Sequence, residues 1–128
     1  MILVAEDHED SRIMLCLYLE TLNYEVIEAK NGKEVIDLAR QKKPDLILMD
    51  LNLPDIDGIS AAQQIRQINE LEEIPIITNS GNGQCGIDLF TNINSMGKGF
   101  ISYVTKPLNL KELREQIESA LMTTQNAH

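Results

Sequence analysis

Short apolar runs alternate with amphipathic segments along this chain, and that alternation restricts the possible folds more than any other feature of the sequence. Such an order is typical of βαβ units, in which helices connect the parallel strands of one sheet. Five of the runs have the length of an ordinary strand, and they lie at residues 2–5, 25–28, 46–50, 76–80 and 101–105. The sequence therefore predicts an α/β fold built on a five-stranded parallel sheet.

The amphipathic segments between these runs predict helices. Asp10 or Ser11 is expected to cap the first helix, because both residue types accept hydrogen bonds from the first N–H groups of a helix. Residues 13–19 are apolar throughout, which is more than one buried face needs, so the surplus either packs in the core or forms a docking patch. A glycine precedes each of the next two helices, and Asn109 is expected to cap the last helix.

The acidic composition limits the partners of the chain. With 11 basic and 20 acidic residues its formal net charge is −9 at pH 7, which disfavours binding to nucleic acid and to anionic membranes. The chain of 128 residues has the length of one domain, 1–128, and no apolar run long enough to span a membrane. Cys16 and Cys85 do not form a disulfide framework. These features predict a soluble, cytoplasmic protein.

Polar side chains that suit phosphate chemistry stand at the carboxyl ends of four predicted strands. Glu6 and Asp7 follow the first strand, and Asp50 ends the third. Ser80 ends the fourth strand, and Lys106 follows the fifth. The carboxyl ends of the strands of an open α/β sheet meet in one crevice. We therefore expect three carboxylates, a hydroxyl and an ammonium group to share one site.

The charges at this site indicate what it binds. Crowded carboxylates repel one another unless a cation joins them, and carboxylate oxygens are suitable ligands for Mg²⁺. Asp50 is also placed as a nucleophile that can form an aspartyl phosphate, since the metal charge screens its approach to an anionic phosphorus atom. Lys106 and Ser80 would donate to the oxygens of the transferred group, where negative charge must be neutralised.

Several stretches make the chain resemble the response-regulator receiver domains of bacterial two-component signalling. They are Glu6-Asp7, residues 44–58 around Asp50, Ile74-Pro75-Ile76-Ile77 leading to Ser80, and Tyr103-Val104-Thr105-Lys106-Pro107. The resemblance covers essentially the whole chain. It implies a flavodoxin-like, doubly wound sheet with strand order 2-1-3-4-5 and helices on both faces. It also implies a signalling module that catalyses only its own phosphorylation and slow dephosphorylation, and is not a conventional enzyme.

The resemblance assigns roles to the acidic residues of the site. Asp50 would accept a phosphoryl group from a histidine of a sensor histidine kinase or a histidine phosphotransfer protein. Asp7, Asp50 and the backbone carbonyl of Asn52 would bind Mg²⁺ directly, and Glu6 would help, often through water. The sequence does not identify the downstream target.

The resemblance also implies a switch. Ser80 and Tyr103 would form it, and Lys106 would contact the phosphoryl oxygens. A cis bond between Lys106 and Pro107 is expected, because it would direct the ammonium group into the crevice. The segment between Ser80 and Lys106 is about four residues longer than is usual in the family, as surface connections tolerate, and a short helix is predicted at residues 87–95.

Other function classes fit parts of the pattern less well. An aspartyl-phosphate phosphatase typically needs a second aspartate two residues after the nucleophile, where this chain has Asn52. A flavodoxin-like electron carrier shares the sheet order, but the acids at residues 6–10 would repel the phosphate of a flavin. The G-x-G-x-x-G match at residues 81–86 lies in the fourth βαβ unit and lacks the acid that would hold a ribose. His8 stands beside the acids, but Mg²⁺ prefers oxygen ligands.

Overall fold

Strands and helices alternate in the computed structural model, which describes residues 1–50, 53–56, 58–68, 70–71, 74–80, 101–105 and 109–126. The elements are β1 (Ile2–Ala5), α1 (Glu9–Thr21), β2 (Val26–Ala29), α2 (Gly32–Lys42), β3 (Leu46–Asp50), α3 (Gly58–Arg66), β4 (Ile76–Ser80), β5 (Ile101–Thr105) and α4 (Leu110–Asn126). Four strands have the predicted bounds, and β2 lies one residue later than predicted. The helix predicted at residues 87–95 falls outside the described residues.

The strands form one parallel sheet in the order β2-β1-β3-β4-β5. This confirms the predicted doubly wound topology, in which β1 and β3 are neighbours although α1, β2 and α2 separate them along the chain. Every residue of β1 and β3 is buried, because helices cover both faces of the sheet. Central parallel strands are accordingly apolar on both sides, which is why they appear in the sequence as continuous apolar runs.

The core consists of two apolar layers, one on each face of the sheet. On one face the side chains of Leu3 and Ile47 join residues of α2 and α3. On the other face Val4 and Leu48 join residues of α1 and α4, among them Leu113. Neighbouring residues of a strand point to opposite faces, so each central strand contributes to both layers.

The ends of the helices confirm one predicted cap and contradict another. Asn109 accepts a hydrogen bond from the backbone N–H of Glu112 at 3.1 Å, as expected for the cap of α4. The prediction that Asp10 or Ser11 caps α1 was wrong, because α1 begins at Glu9 and its N-cap residue is His8. Both predicted residues lie inside the first turn, where an acidic side chain such as that of Asp10 still interacts favourably with the helix dipole.

The apolar run in α1 divides between the core and the surface. Leu15 and Leu19 are buried, whereas Ile13, Met14 and Leu17 are exposed, the last of them at 59%. The surplus of apolar residues predicted from the sequence is therefore at the surface of α1. None of the described helices is long and apolar enough to cross a membrane.

Candidate functional site

The register of the central strands brings three acidic residues together. Ala5 of β1 pairs with Met49 of β3, so the next residue of each strand, Glu6 and Asp50, stands at the same level of the sheet. Asp7 follows directly. The three residues meet because β1 and β3 are parallel neighbours, which the sequence predicted from the strand order that the resemblance implies.

The carboxylates of Glu6, Asp7 and Asp50 converge closely enough to share a cation. One ligand oxygen from each lies within 4.8 Å of the others. Oxygens bound to one Mg²⁺ at about 2.1 Å can be at most about 4.2 Å apart, so a small contraction of the cluster would suit this ion. Glu6 and Asp50 are each only 2% exposed, whereas Asp7 is exposed. All three donors are carboxylate oxygens, and the cluster is open to solvent at Asp7. This arrangement fits an ion that keeps several of its waters.

Hydrogen bonds from three directions hold Glu6 at the end of β1. Its backbone N–H donates to the carbonyl of Ala29 in β2 at 3.1 Å. Its carbonyl accepts from Nη1 of Arg12 at 3.0 Å, and its Oε1 accepts from the backbone N–H of His8 at 3.3 Å. Nε of Arg12 in turn donates to Oε1 of Glu28 at 3.1 Å. The acidic turn after β1 is thus tied to both α1 and β2.

Arg12 is a structural residue of the site that was not predicted from the sequence. It is only 7% exposed, and its guanidinium carries hydrogen bonds to a backbone carbonyl and to a carboxylate. The signal in the sequence is its spacing, because Arg12, Leu15 and Leu19 recur at three and four residues and so share the buried stripe of α1. An arginine on that stripe has to find acceptors inside the fold.

The segment after Asp50 is fastened to the start of α2. Oδ1 of Asp55 accepts from the backbone N–H of Gly32 at 2.7 Å, and Oδ2 accepts from that of Lys33 at 2.9 Å. These two bonds, the one from Gly32 first, lower the pKa of the Asp55 carboxyl. No local pattern in the sequence marks Asp55, since its partners lie more than 20 residues away in the chain.

The remaining predicted site residues are placed only in part. Asn79 of β4 pairs with Asp50 of β3, so the backbone of Ser80, the last residue of β4, lies at the same edge of the sheet as Asp50. The backbone of Tyr103 pairs with Thr78. Asn52, Lys106 and the predicted cis bond before Pro107 lie outside the described residues.

The chain matches a known protein family along most of its length. The family model that describes the response regulator receiver domain matches residues 2–118. The chain is 32% identical to the polar-differentiation response regulator DivK of Brucella anthropi over 120 residues, which cover 94% of each chain.

Solved structures of receiver domains have the same fold as this chain. The receiver domain of a sensor histidine kinase from Pseudomonas aeruginosa, with a magnesium ion coordinated in its active-site cleft, superposes with a TM-score of 0.81. It is 29% identical, and the match covers 94% of this chain and 95% of that one. A CheY-like receiver domain protein from Methanospirillum hungatei has a TM-score of 0.80 at 21% identity, covering 99% of this chain and 97% of that chain, and this likeness shows the fold alone.

The chain therefore belongs to the response regulator receiver domain family of two-component signalling. Receiver domains are signalling domains, not conventional enzymes, and they interact with sensor histidine kinases and phosphotransfer partners. This membership decides against the phosphatase and the electron carrier as the function of the domain.

Proposed function

We propose that this receiver domain takes a phosphoryl group onto Asp50 in a Mg²⁺-dependent reaction, from a histidine of a sensor histidine kinase or of a histidine phosphotransfer protein. The observation that carries the proposal is the convergence of Glu6, Asp7 and Asp50 at the carboxyl end of the central strands. Asp7, Asp50 and the carbonyl of Asn52 would hold the ion, and Glu6 would support it through water. When bound, Mg²⁺ supplies the positive charge that lets an anionic phosphoryl group approach this acidic cluster.

The chemistry at Asp50 is a transfer between two nucleophiles. A carboxylate oxygen of Asp50 forms a bond to phosphorus while the bond from phosphorus to the histidine nitrogen breaks, and the nitrogen leaves with the bonding electron pair. Asp50 ends a buried strand and is itself only 2% exposed, so its carboxylate is held in place by the sheet. A fixed nucleophile lowers the entropy lost in reaching the transition state.

The other predicted residues complete the proposal. Lys106 would neutralise charge on the phosphoryl oxygens, and Ser80 would donate its hydroxyl to them. A phosphoryl group that draws the Ser80 hydroxyl inward would open space for Tyr103, and this change would signal to a partner. The domain would act only on its own aspartate, through self-phosphorylation and slow autodephosphorylation.

Labelling with a small phosphodonor tests the proposal without a partner. Incubation with acetyl phosphate and Mg²⁺ should add the mass of one phosphoryl group, and peptide mapping should locate it on Asp50. Asp50→Asn should abolish the labelling, and Asp7→Ala should remove its dependence on Mg²⁺, whereas Glu6→Ala should weaken that dependence less. Asp37→Asn, which changes an exposed aspartate of α2, should be labelled like the wild type. Unchanged labelling of Asp50→Asn would refute the assignment.

A further inference from the structure

The first turn of α2 is capped from two different parts of the chain. Asn31, the residue before the helix, accepts a hydrogen bond from the backbone N–H of Glu34 at 2.8 Å. The N–H groups of Gly32 and Lys33 donate instead to the two carboxylate oxygens of Asp55. Helix starts leave such N–H groups without partners inside the helix, so Asp55 completes a cap that Asn31 begins.

Close packing strengthens this junction. A Cβ atom added at Gly32 would lie 2.3 Å from Cγ1 of Ile56 and 3.2 Å from Oδ1 of Asp55. The side chain of Ile56 therefore rests directly on the backbone of α2 at Gly32, where a Cβ atom would force it to move. Ile56 is half-buried and packs against the core layer that α2 and α3 share.

The segment between the phosphoacceptor and this junction is short and anchored at both ends. Asp50 is fixed in β3, and Asp55 lies only five positions later. Between them the side chain of Leu53 is buried at 8% exposure. Leu53 and Asp55 are thus already held before any ligand binds, and the entropy of ordering these two residues is lost on folding and not on binding.

We propose that Asp55 is a positioning residue for the phosphorylation site, which fixes the segment after Asp50 by capping α2 across the fold. The inference rests on the proposed function, in which that segment supplies the carbonyl of Asn52 to Mg²⁺. Both carboxylate oxygens of Asp55 are engaged by N–H groups of α2, so Asp55 would act without binding the metal or the phosphoryl group itself. It keeps their ligands in a preset arrangement, as outer contacts of metal ligands do in other proteins.

The chain provides matched controls for this role. Asp55→Ala and Asn31→Ala each remove a cap from the same turn of α2, but only the first releases the segment after Asp50. Asp37→Asn removes a negative charge from α2 without touching either cap, at the cost of a 4.0 Å pair with Arg40, and so controls for the change in net charge. The methyl group of Gly32→Ala would push against the side chain of Ile56. This variant changes no charge and serves as the second test of the junction.

Titration of amide chemical shifts with Mg²⁺ at physiological salt measures affinity without relying on phosphorylation. We expect Asp55→Ala and Gly32→Ala to bind Mg²⁺ about 3- to 10-fold more weakly, which is less than the roughly 10- to 100-fold typical of contacts made directly to a metal ligand. Asn31→Ala and Asp37→Asn should stay within about twofold of the wild type. Hydrogen exchange at the amides of Gly32 and Lys33 should accelerate in Asp55→Ala, which reports release of the cap itself.

The outcomes separate this inference from the proposed function. If the wild type binds Mg²⁺ and is labelled on Asp50, but Asp55→Ala binds no more weakly than Asn31→Ala or Asp37→Asn, the positioning role is refuted. If Asp55→Ala and Gly32→Ala both weaken Mg²⁺ binding while the wild type takes no label on Asp50, the positioning of the metal ligands stands and the proposed function falls.

Discussion

The starts of α1 and α2 lie at the same edge of the sheet, yet they are held in different ways. At α1 the side chain of the N-cap residue His8 accepts no hydrogen bond from a backbone N–H of the helix, and the buried guanidinium of Arg12 anchors the preceding turn through the carbonyl of Glu6. At α2 the side chains of Asn31 and Asp55 close the first turn. A carboxylate that caps a helix has oxygens committed to N–H groups. Beside α1 one oxygen of Glu6 also accepts from the backbone N–H of His8, but the carboxylates of Glu6, Asp7 and Asp50 converge on one another, as a metal site requires.

The largest effect in this comparison is expected for Arg12→Met. The variant replaces the guanidinium of Arg12 by an apolar group of similar length, which leaves the carbonyl of Glu6 without this donor. The loss of a hydrogen bond that involves a charged group costs about 1.5–3 kcal/mol of unfolding free energy. Urea unfolding should show a loss of about 2–3 kcal/mol. The control is Arg114→Met, which breaks an exposed pair with Glu118 and should change stability little. Equal losses in both variants would mean that Arg12 does not anchor this turn.

Gly32→Ala should have the next largest effect, because its methyl group would overlap the side chain of Ile56. Overpacking of this kind costs about 1–3 kcal/mol of unfolding free energy. The double variant Gly32→Ala with Ile56→Ala should be more stable than the sum of the two single losses predicts, since the smaller side chain makes room for the methyl group. Additive losses would show that the two residues are not in contact.

A smaller, pH-dependent effect is expected for Asp55→Asn. Because hydrogen bonds from Gly32 and Lys33 lower the pKa of Asp55 in the folded state, its carboxylate stabilises the fold above the unfolded-state pKa. That contribution is lost as pH falls through the lowered folded-state pKa. The stability difference between the wild type and Asp55→Asn should thus be full at neutral pH and vanish in acid. The cost of Asn31→Ala, a neutral cap, should not follow the same course, and a parallel pH profile would contradict the assignment.

The smallest effect concerns Cys16, which reports on the packing of α1. Burial, together with the charges of Glu28 and Glu20, raises the pKa of the Cys16 thiol to about 11. The reactive thiolate is therefore scarce near neutral pH. In a Cys85→Ser background, alkylation by iodoacetamide at pH 8 should be much slower in folded than in urea-unfolded protein, as followed by mass spectrometry. Similar rates in the two states would show that α1 does not bury this residue.

Local patterns in the sequence were enough to predict most of the strands and the acidic cluster. Central strands buried on both faces appear as continuous apolar runs, and polar residues at their carboxyl ends lie at one edge of a parallel sheet. The strand order that the resemblance implies then makes the first and third strands neighbours. Glu6, Asp7 and Asp50 could be placed together on that ground. Asn109 could be predicted as a cap because its bond to Glu112 spans only three residues. For β2, which lies at the edge of the sheet, the bounds were wrong by one residue, since a partly exposed strand has a weaker apolar signal.

Contacts between distant parts of the chain were decided by the tertiary structure alone. Asp55 caps α2 from 23 residues away, and no rule based on neighbouring residues can identify such a pair. Arg12 is buried because Glu28 and the carbonyl of Glu6 reach it from β2 and from the end of β1. With His8 at the N-cap, Asp10 falls within the first turn of α1 although its residue type favours the cap itself. In each case the partner of a polar group depends on which elements pack side by side, and that is settled only when the sheet and its helices assemble.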